Sequence, residues 1–464
     1  MTRFERGVRL WRLALPIAAS QVSDMVTVGI DTIMVGKLGT TELAAVSLAT
    51  ASSTLVLLFG IGFNIAITPQ LASAWAAGDL GQCKAIVRTG TRISLLVACS
   101  LVVSLLLASP FLNILGSPQD VTEAAIPYFR WYVASFLFRL MFGVFKQSSE
   151  ALGNTKLPMY IAVITNLLNI LFNWLLIWGI AGLPALGVEG AGFATFLSRV
   201  VGVGLAYWAW NWFSLYQPLR NVSAATSGIA EISARIWKSG SAIGAQISME
   251  VLAFATGGIM IGWIGTTELA AHQIALNIAS ITFMIALALA SAATVTVAQA
   301  RGAHDQDGVR TEAYTALWAV VGFELSTALV LLFGRSLLPA LYVDDQKTIE
   351  IAATLLLYAA VFQIFDGLQT VGMGILRGIN DTKLPTAIAF CAYTIVALPL
   401  GYVLSTRTRL QEEGVWVGYV AALVLAGIGY VLRIHDKTKK GQVNYHPPLA
   451  VVLCTERLTD ADRA

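Results

Sequence analysis

Charged residues are scarce in this chain: Asp, Glu, Lys and Arg make up only 12% of its 464 residues, against about 25% in an ordinary soluble protein. So few charges cannot cover a water-facing surface, and a soluble multidomain protein is excluded. Cysteine is also sparse. Cys83, Cys99, Cys391 and Cys454 are widely spaced, with no CxxC pair, so neither a zinc site nor a disulfide framework is expected. The four histidines are scattered and form no metal set. There is no GxxxxGK[ST] stretch, which disfavours an ATP-driven pump within the chain. The net charge is +3 with basic residues dispersed, so no nucleic-acid partner is expected. No nucleophile–base arrangement is visible, and the protein reads as a non-enzyme.

What remains is apolar. Hydrophobic residues are 56% of the chain and mean hydropathy is +0.71. The bilayer is the natural solvent for such a sequence, and a transmembrane helix needs about 20 apolar residues. Apolar runs fall at 12–36, 43–72, 85–109, 123–145, 158–180, 189–213, 239–262, 269–298, 313–334, 348–376, 385–405 and 414–433. Turn and charge signals separate them, as in KLGTTE and KQSSEALGNTK. The expected fold class is therefore an all-α integral membrane protein with about 12 spans. The basic start MTRFERGVRLWR lacks a small-residue cleavage site and reads as the cytosolic lead into the first helix. With that end inside, loop Lys and Arg divide 19 to 5 in favour of the cytosolic side. The positive-inside bias then puts both termini in the cytoplasm.

The strongest pattern is an internal repeat. GTTELAA occurs at 39–45 and at 265–271, an offset of 226. NTKLP at 154–158 answers DTKLP at 381–385, and GVEGAGFAT at 187–195 lies opposite GVWVGYVAA at 414–422, both at 227. Two copies of six helices each enter from the same side, so the repeat is parallel, and transporters built this way place their substrate site between the halves. The expected organisation is an N-lobe over 1–220, which includes the start of the interlobe loop, a cytosolic linker over 221–238, a C-lobe over 239–434 and a polar cytosolic tail over 435–464. The lobes are expected to be pseudo-symmetric around a central cleft.

Carboxylates inside a span are costly and so point to function. Five stand well inside: Asp24, Asp31, Glu250, Glu324 and Asp366. Asp24 aligns with Glu250 across the repeat, Asp31 with Gly257, and Asp366 with Arg139. Asp31 lies two helical turns after Asp24, on the same face. Asn166, Asn169 and Asn173 form one polar stripe at helical spacing. Gln21, Asn64, Gln246, Gln273 and Asn277 are further candidates to line a cavity, whereas Glu324 reads as half of a local pair. Arg139 and Arg199 read as partners of acids or as residues reaching the interface. GxxxG spacings at Gly240/Gly244, Gly258/Gly262 and Gly374/Gly378 permit close helix contact.

Three stretches carry a family resemblance: ALPIAASQVSDMVTVGIDTIMVGKLG, SGSAIGAQISMEVLAFATGGIMIGWIGTTELAAHQIA and FQIFDGLQTVGMGILRGINDTKLP. They resemble the multidrug and toxic compound extrusion (MATE) family, in its NorM branch, over about residues 5–435. The resemblance implies a 12-helix secondary antiporter of the cytoplasmic membrane, working as a monomer in lipid. It would export small lipophilic organic cations against inward sodium or protons, with no cofactor beyond the coupling ion. It also implies roles for particular residues. Glu250 and Asp366 match the acids of a C-lobe cation site, where two carboxylates can ligate Na+ through hard oxygens or share a proton because like charges repel. Phe283 stands where some members carry a tyrosine, and its ring face suits a bound cation. Asp31, Asn169 and Asn173 match the N-lobe cation or substrate site, with Asp24 nearby. Pro16 matches a position where the first helix bends. The rival in the same superfamily is a lipid-linked-precursor flippase, whose cargo would call for interior bases that are fewer here than interior acids. A channel or structural membrane protein is the rival from another class.

Overall fold

The computed structural model describes residues 2–226 and 228–439, and every described element is helical. Twelve long helices follow one another. They are α1 (Arg3–Gly36), α2 (Thr40–Ala76), α3 (Leu80–Ala108), α4 (Gln119–Ala151), α5 (Lys156–Trp178), α6 (Gly187–Trp212), α7 (Ile229–Gly262), α8 (Thr266–Gly302), α9 (Gln306–Gly334), α10 (Gln346–Gly378), α11 (Lys383–Arg407) and α12 (Gln411–Lys439). Eleven of these are long and apolar enough to cross a membrane. The twelfth, α4, has the length at 33 residues, but Arg130 and Arg139 within it lower its hydropathy. The protein is thus a multi-pass membrane protein.

The repeat is written into the helix bounds. Both α1 and α7 are 34 residues long and are displaced by 226 positions. The pair α2 and α8 keeps that displacement at both ends, whereas α4 and α10 are displaced by 227. The inserted residue therefore falls in the connection before α10. Local chemistry repeats as well. Asp79 accepts from the Gln82 amide at 2.8 Å to start α3, and Asp305 accepts from the Gly308 amide at 2.7 Å to start α9. These N-caps satisfy backbone donors that the first turn leaves unpaired. Asp345 caps α10 by accepting from the Thr348 amide and hydroxyl, and these bonds hold its carboxyl below the usual range.

The chain divides into two compact units, and the division falls inside two long helices. The described residues from Ala19 to Gly244 form one unit; those up to Ala18 and from Ala245 onward form the other. The expected lobe boundaries differ from this in two ways. The linker expected over 221–238 is helical from Ile229, because IAEISARIWK is amphipathic and not a loop sequence. Residues 239–244, expected in the C-lobe, pack in the first unit, and residues up to Ala18, expected in the N-lobe, pack in the second. Of the expected tail, residues 435–439 continue α12 and the rest lies outside the described residues.

Glycine decides the crossing of α2 with the start of α7. A Cβ on Gly62 would stand 2.3 Å from the Gly244 nitrogen, and one on Gly244 would stand 2.4 Å from the Phe59 carbonyl oxygen. Gly374 packs equally tightly on the Ala290 carbonyl of α8. The Gly258/Gly262 pair makes no such approach, since its nearest neighbours stand at 3.7 Å.

Helix α11 contains an unexpected π-helical stretch, Cys391–Ala397. Pro399 follows it and has no N–H to give the regular ladder, and such wide turns often mark functional positions. Here it carries the buried Tyr393.

Candidate functional site

In the unit from Ala19 to Gly244, α1 presents two acids two turns apart. At the upper level Asp31 accepts from Asn173 Nδ2 at 2.6 Å. Asn169, its amide nitrogen turned toward the carboxylate, donates to both Asp31 oxygens at 3.0 and 3.2 Å. The two amides sit one helical turn apart on α5, which lets them grip one carboxylate from the same side. Asn173 is only 1% exposed. Thr195 and Ser198 of α6 line the far side of the Asn169 amide. Three of the residues singled out in the sequence are thus one hydrogen-bonded group, and Thr195 and Ser198 were not foreseen.

At the other level Asp24 accepts from Asn166 Nδ2 at 2.8 Å, and Arg139 of α4 pairs with its second oxygen at 3.4 Å. Asn166 also donates to the Ser23 hydroxyl at 2.9 Å. Arg139 thus neutralises an acid, as expected. Arg199 lies within electrostatic reach of Asp31, donates to Ser135 and lies over the Tyr132 ring, 5.3 Å from its centroid.

In the other unit the acids come from three helices. Asp366 of α10 is 6% exposed and lies within electrostatic reach of Glu250 of α7 and Glu324 of α9. No ion pair reaches Asp366 among the described residues. Glu250 hydrogen-bonds the Tyr393 hydroxyl and feels the charge of Arg377. The same hydroxyl, which has one proton to give, also stands 2.7 Å from Gln369 Oε1, and the Gln369 amide nitrogen, in a side chain 1% exposed, has no partner among the described residues. A buried amide donor left open is a polar group that an oxygen-bearing occupant would satisfy.

Glu324 departs from expectation. It is 2% exposed and forms no ion pair among the described residues; its carboxylate accepts from Thr327 at 2.8 Å instead. Thr327 also bonds Gln363 at 3.1 Å, and Gln363 reaches Ala279 and Thr282 on α8. The local partner is therefore a hydroxyl three residues on, which no charge pattern could reveal. No group of three or more His, Cys, Asp or Glu fit to hold one metal ion occurs among the described residues. Phe283 follows Thr282 on α8 and is half-buried.

Other candidates resolve into packing roles. Asn64 is buried, donates to the Leu140 carbonyl at 2.9 Å and accepts from Ser94 at 2.7 Å, joining α2 to α4 and α3. Gln246 is buried and donates to Tyr430 at 3.2 Å, joining α7 to α12. Gln273 and Asn277 lie on the exposed face of α8, and Gln21 is half-buried. Pro16 stands in the interior of α1, far past the first turn where a proline fits without loss.

Long apolar helices that carry half-buried or buried carboxylates inside their spans, several of them held by amides and hydroxyls, mark a membrane transporter. Comparison with known proteins carries this further. The MatE family matches residues 16–175 and 242–403, and the chain belongs to that family, as a NorM-like member. It is 34% identical to a probable multidrug resistance protein NorM of Bradyrhizobium diazoefficiens, over 92% of each chain. A multidrug resistance protein NorM of Vibrio vulnificus is 29% identical over 94% of this chain and 97% of its own. The crystal structure of the Vibrio cholerae MATE transporter VcmN in the bent form shares the fold. Its TM-score is 0.84 at 19% identity, with 96% of this chain and 99% of that one covered. The eukaryotic MATE transporter AtDTX14 does so as well, with a TM-score of 0.84 at 18% identity over 95% of this chain and 100% of its own.

Proposed function

We propose that this protein is a secondary multidrug efflux antiporter of the cytoplasmic membrane. It exports small lipophilic organic cations in exchange for inward Na+ or H+, works as a monomer with both termini in the cytoplasm, and needs no other cofactor. The observation that carries this reading is Asp366: a buried carboxylate with like charges around it and no ion-pair partner among the described residues. A carboxylate in a span costs about 2.5–3.5 kcal/mol, and a monovalent cation that enters and leaves offsets that cost only part of the time. Glu250 and Asp366 are the ligands for that ion, with Phe283 offering a ring face. Na+ takes hard oxygens, which both acids supply; a proton would sit on one of them.

Asp31, held by Asn169 and Asn173, presents a carboxylate whose geometry is set by two amides. We assign it to the organic cation or to a relayed proton, with Asp24 at the next level of the same helix. Coupling requires that ion occupancy and drug occupancy bias one two-state equilibrium in opposite directions. Pro16 supplies a point of weakness in α1 where such a change can bend the helix.

The decisive experiment is drug efflux from vesicles with Na+ and pH gradients imposed separately. Efflux driven by one gradient identifies the ion. Efflux indifferent to both would end the antiport reading and favour a channel or a flippase.

A further inference from the structure

The repeat pairs three residues of one unit with three of the other. Asp24 stands 226 positions before Glu250; Arg139 and Asn166 each stand 227 before Asp366 and Tyr393. Each trio is assembled within its own unit. Asn166 and Arg139 both hold Asp24, while Tyr393 hydrogen-bonds Glu250 and Asp366 lies within electrostatic reach of both. The first carboxylate is kept, and so is a neutral hydrogen-bonding partner beside it. The third member alone changes sign, from guanidinium to carboxylate. Further along the same two helices, Glu150 of α4 stands opposite Arg377 of α10 at the same offset, so a second position is inverted as well.

We propose that Arg139 is a tethered counter-cation, and that the Asp24 position is a latent cation site closed by the protein's own side chain. The guanidinium, 3.4 Å from Asp24 and with Lys146 as a second cation in electrostatic reach of that acid, supplies the positive charge that an exchangeable cation supplies next to Glu250 and Asp366. Arginine does not lose its proton in proteins and cannot leave its helix, so this site takes no part in exchange. The chain therefore carries one exchangeable cation at this repeated level and not two. The argument rests on the proposed function in one respect, that Glu250 and Asp366 take up a cation.

The test is the cation count of the purified full-length protein in detergent. Na+ binding is read with radioactive sodium by equilibrium dialysis, and proton uptake is read in unbuffered solution. Arg139→Gln should bind one more monovalent cation per chain than the wild type, and Arg139→Gln/Asp24→Asn should return to the wild-type count. Arg139→Lys keeps the charge and should leave the count unchanged. A wild-type count in folded Arg139→Gln would overturn the proposal. Asp366→Asn separates the two readings: loss of the wild-type cation tests the proposed function, whereas the extra cation in Arg139→Gln/Asp366→Asn tests Arg139 alone. Should Arg139→Gln lose its fold, the double variant with Asp24→Asn decides. Recovery of folding shows that the charge of Asp24 is what Arg139 neutralises; failure to recover makes Arg139 a helix brace and overturns the proposal.

Discussion

Asn173 of α5 donates to Asp31 of α1 at 2.6 Å, and this short bond sets the direction in which the carboxylate faces. The amide itself is buried, so the geometry is fixed from the protein side. Removing it should disorient the acid without changing its charge. Asn173→Ala is expected to weaken binding of a lipophilic cation such as ethidium about 10-fold, as loss of a bond to a charged group costs about 1.5–3 kcal/mol. Fluorescence titration of the purified protein checks this, and unchanged affinity would remove Asn173 from the site.

Neutralising the ion site should separate folding from transport. Asp366→Asn keeps the shape and lowers the cost of burial, so the variant is expected to express and melt like the wild type or better. Ion-driven efflux should be abolished. Glu250→Gln should slow turnover and weaken ion dependence. Gradient-driven efflux from proteoliposomes measures both, and full activity in well-folded Asp366→Asn would end the mechanism.

Two glycines of α7 should respond in opposite ways to one added carbon. Gly244→Ala places a Cβ 2.4 Å from the Phe59 carbonyl oxygen and should destabilise the protein by about 1–3 kcal/mol. Gly258→Ala meets its nearest neighbour at 3.7 Å and should be neutral or slightly stabilising. Thermal melts in detergent distinguish the two; equal behaviour would contradict the packing described.

Pro16 withholds one backbone donor in the interior of α1. Pro16→Ala restores it and should raise the melting temperature, since an interior proline costs a helix about 3 kcal/mol. If bending of α1 accompanies transport, the efflux rate should fall while drug affinity stays within about twofold. A faster transporter would show that the bend has no part in the cycle.

Much of this arrangement was readable in the residues themselves. A carboxylate in an apolar span is conspicuous, so Asp24, Asp31, Glu250 and Asp366 could be found without a structure. The offset of the GTTELAA copies anticipated the helix bounds. Neutral partners were not readable: Gln369, Gln363 and Thr327 carry no charge, and Tyr393 depends on a π-turn that shifts its bearing. The exchange of Asp31 for Gly257 was legible in the repeat, but what takes the place of the acid was not. Gly257 stands where Asp31 stands in the first copy, and the Tyr419 hydroxyl fills the space, 1.7 Å from where a Cβ would lie. Tyr419 itself aligns with Gly192. A repeat reports common descent, whereas which half-helix packs in which unit depends on contacts that only the folded chain displays.

Synthesis order gives the packing of α1 a further meaning. Leu10, Leu13, Ala14 and Ile17 join a buried cluster with Ala288, Ala292, Val309 and Val320, and Arg6 pairs with Glu312 at 3.1 Å. The ribosome makes the beginning of α1 first and its neighbours only some 300 residues later. Through most of translation, which runs at about 5–20 residues per second, that stretch waits in the membrane without its final contacts. A gene cut at the repeat boundary would strand it, and the cluster around Ala288, Val309 and Val320 would lose the helix that completes it.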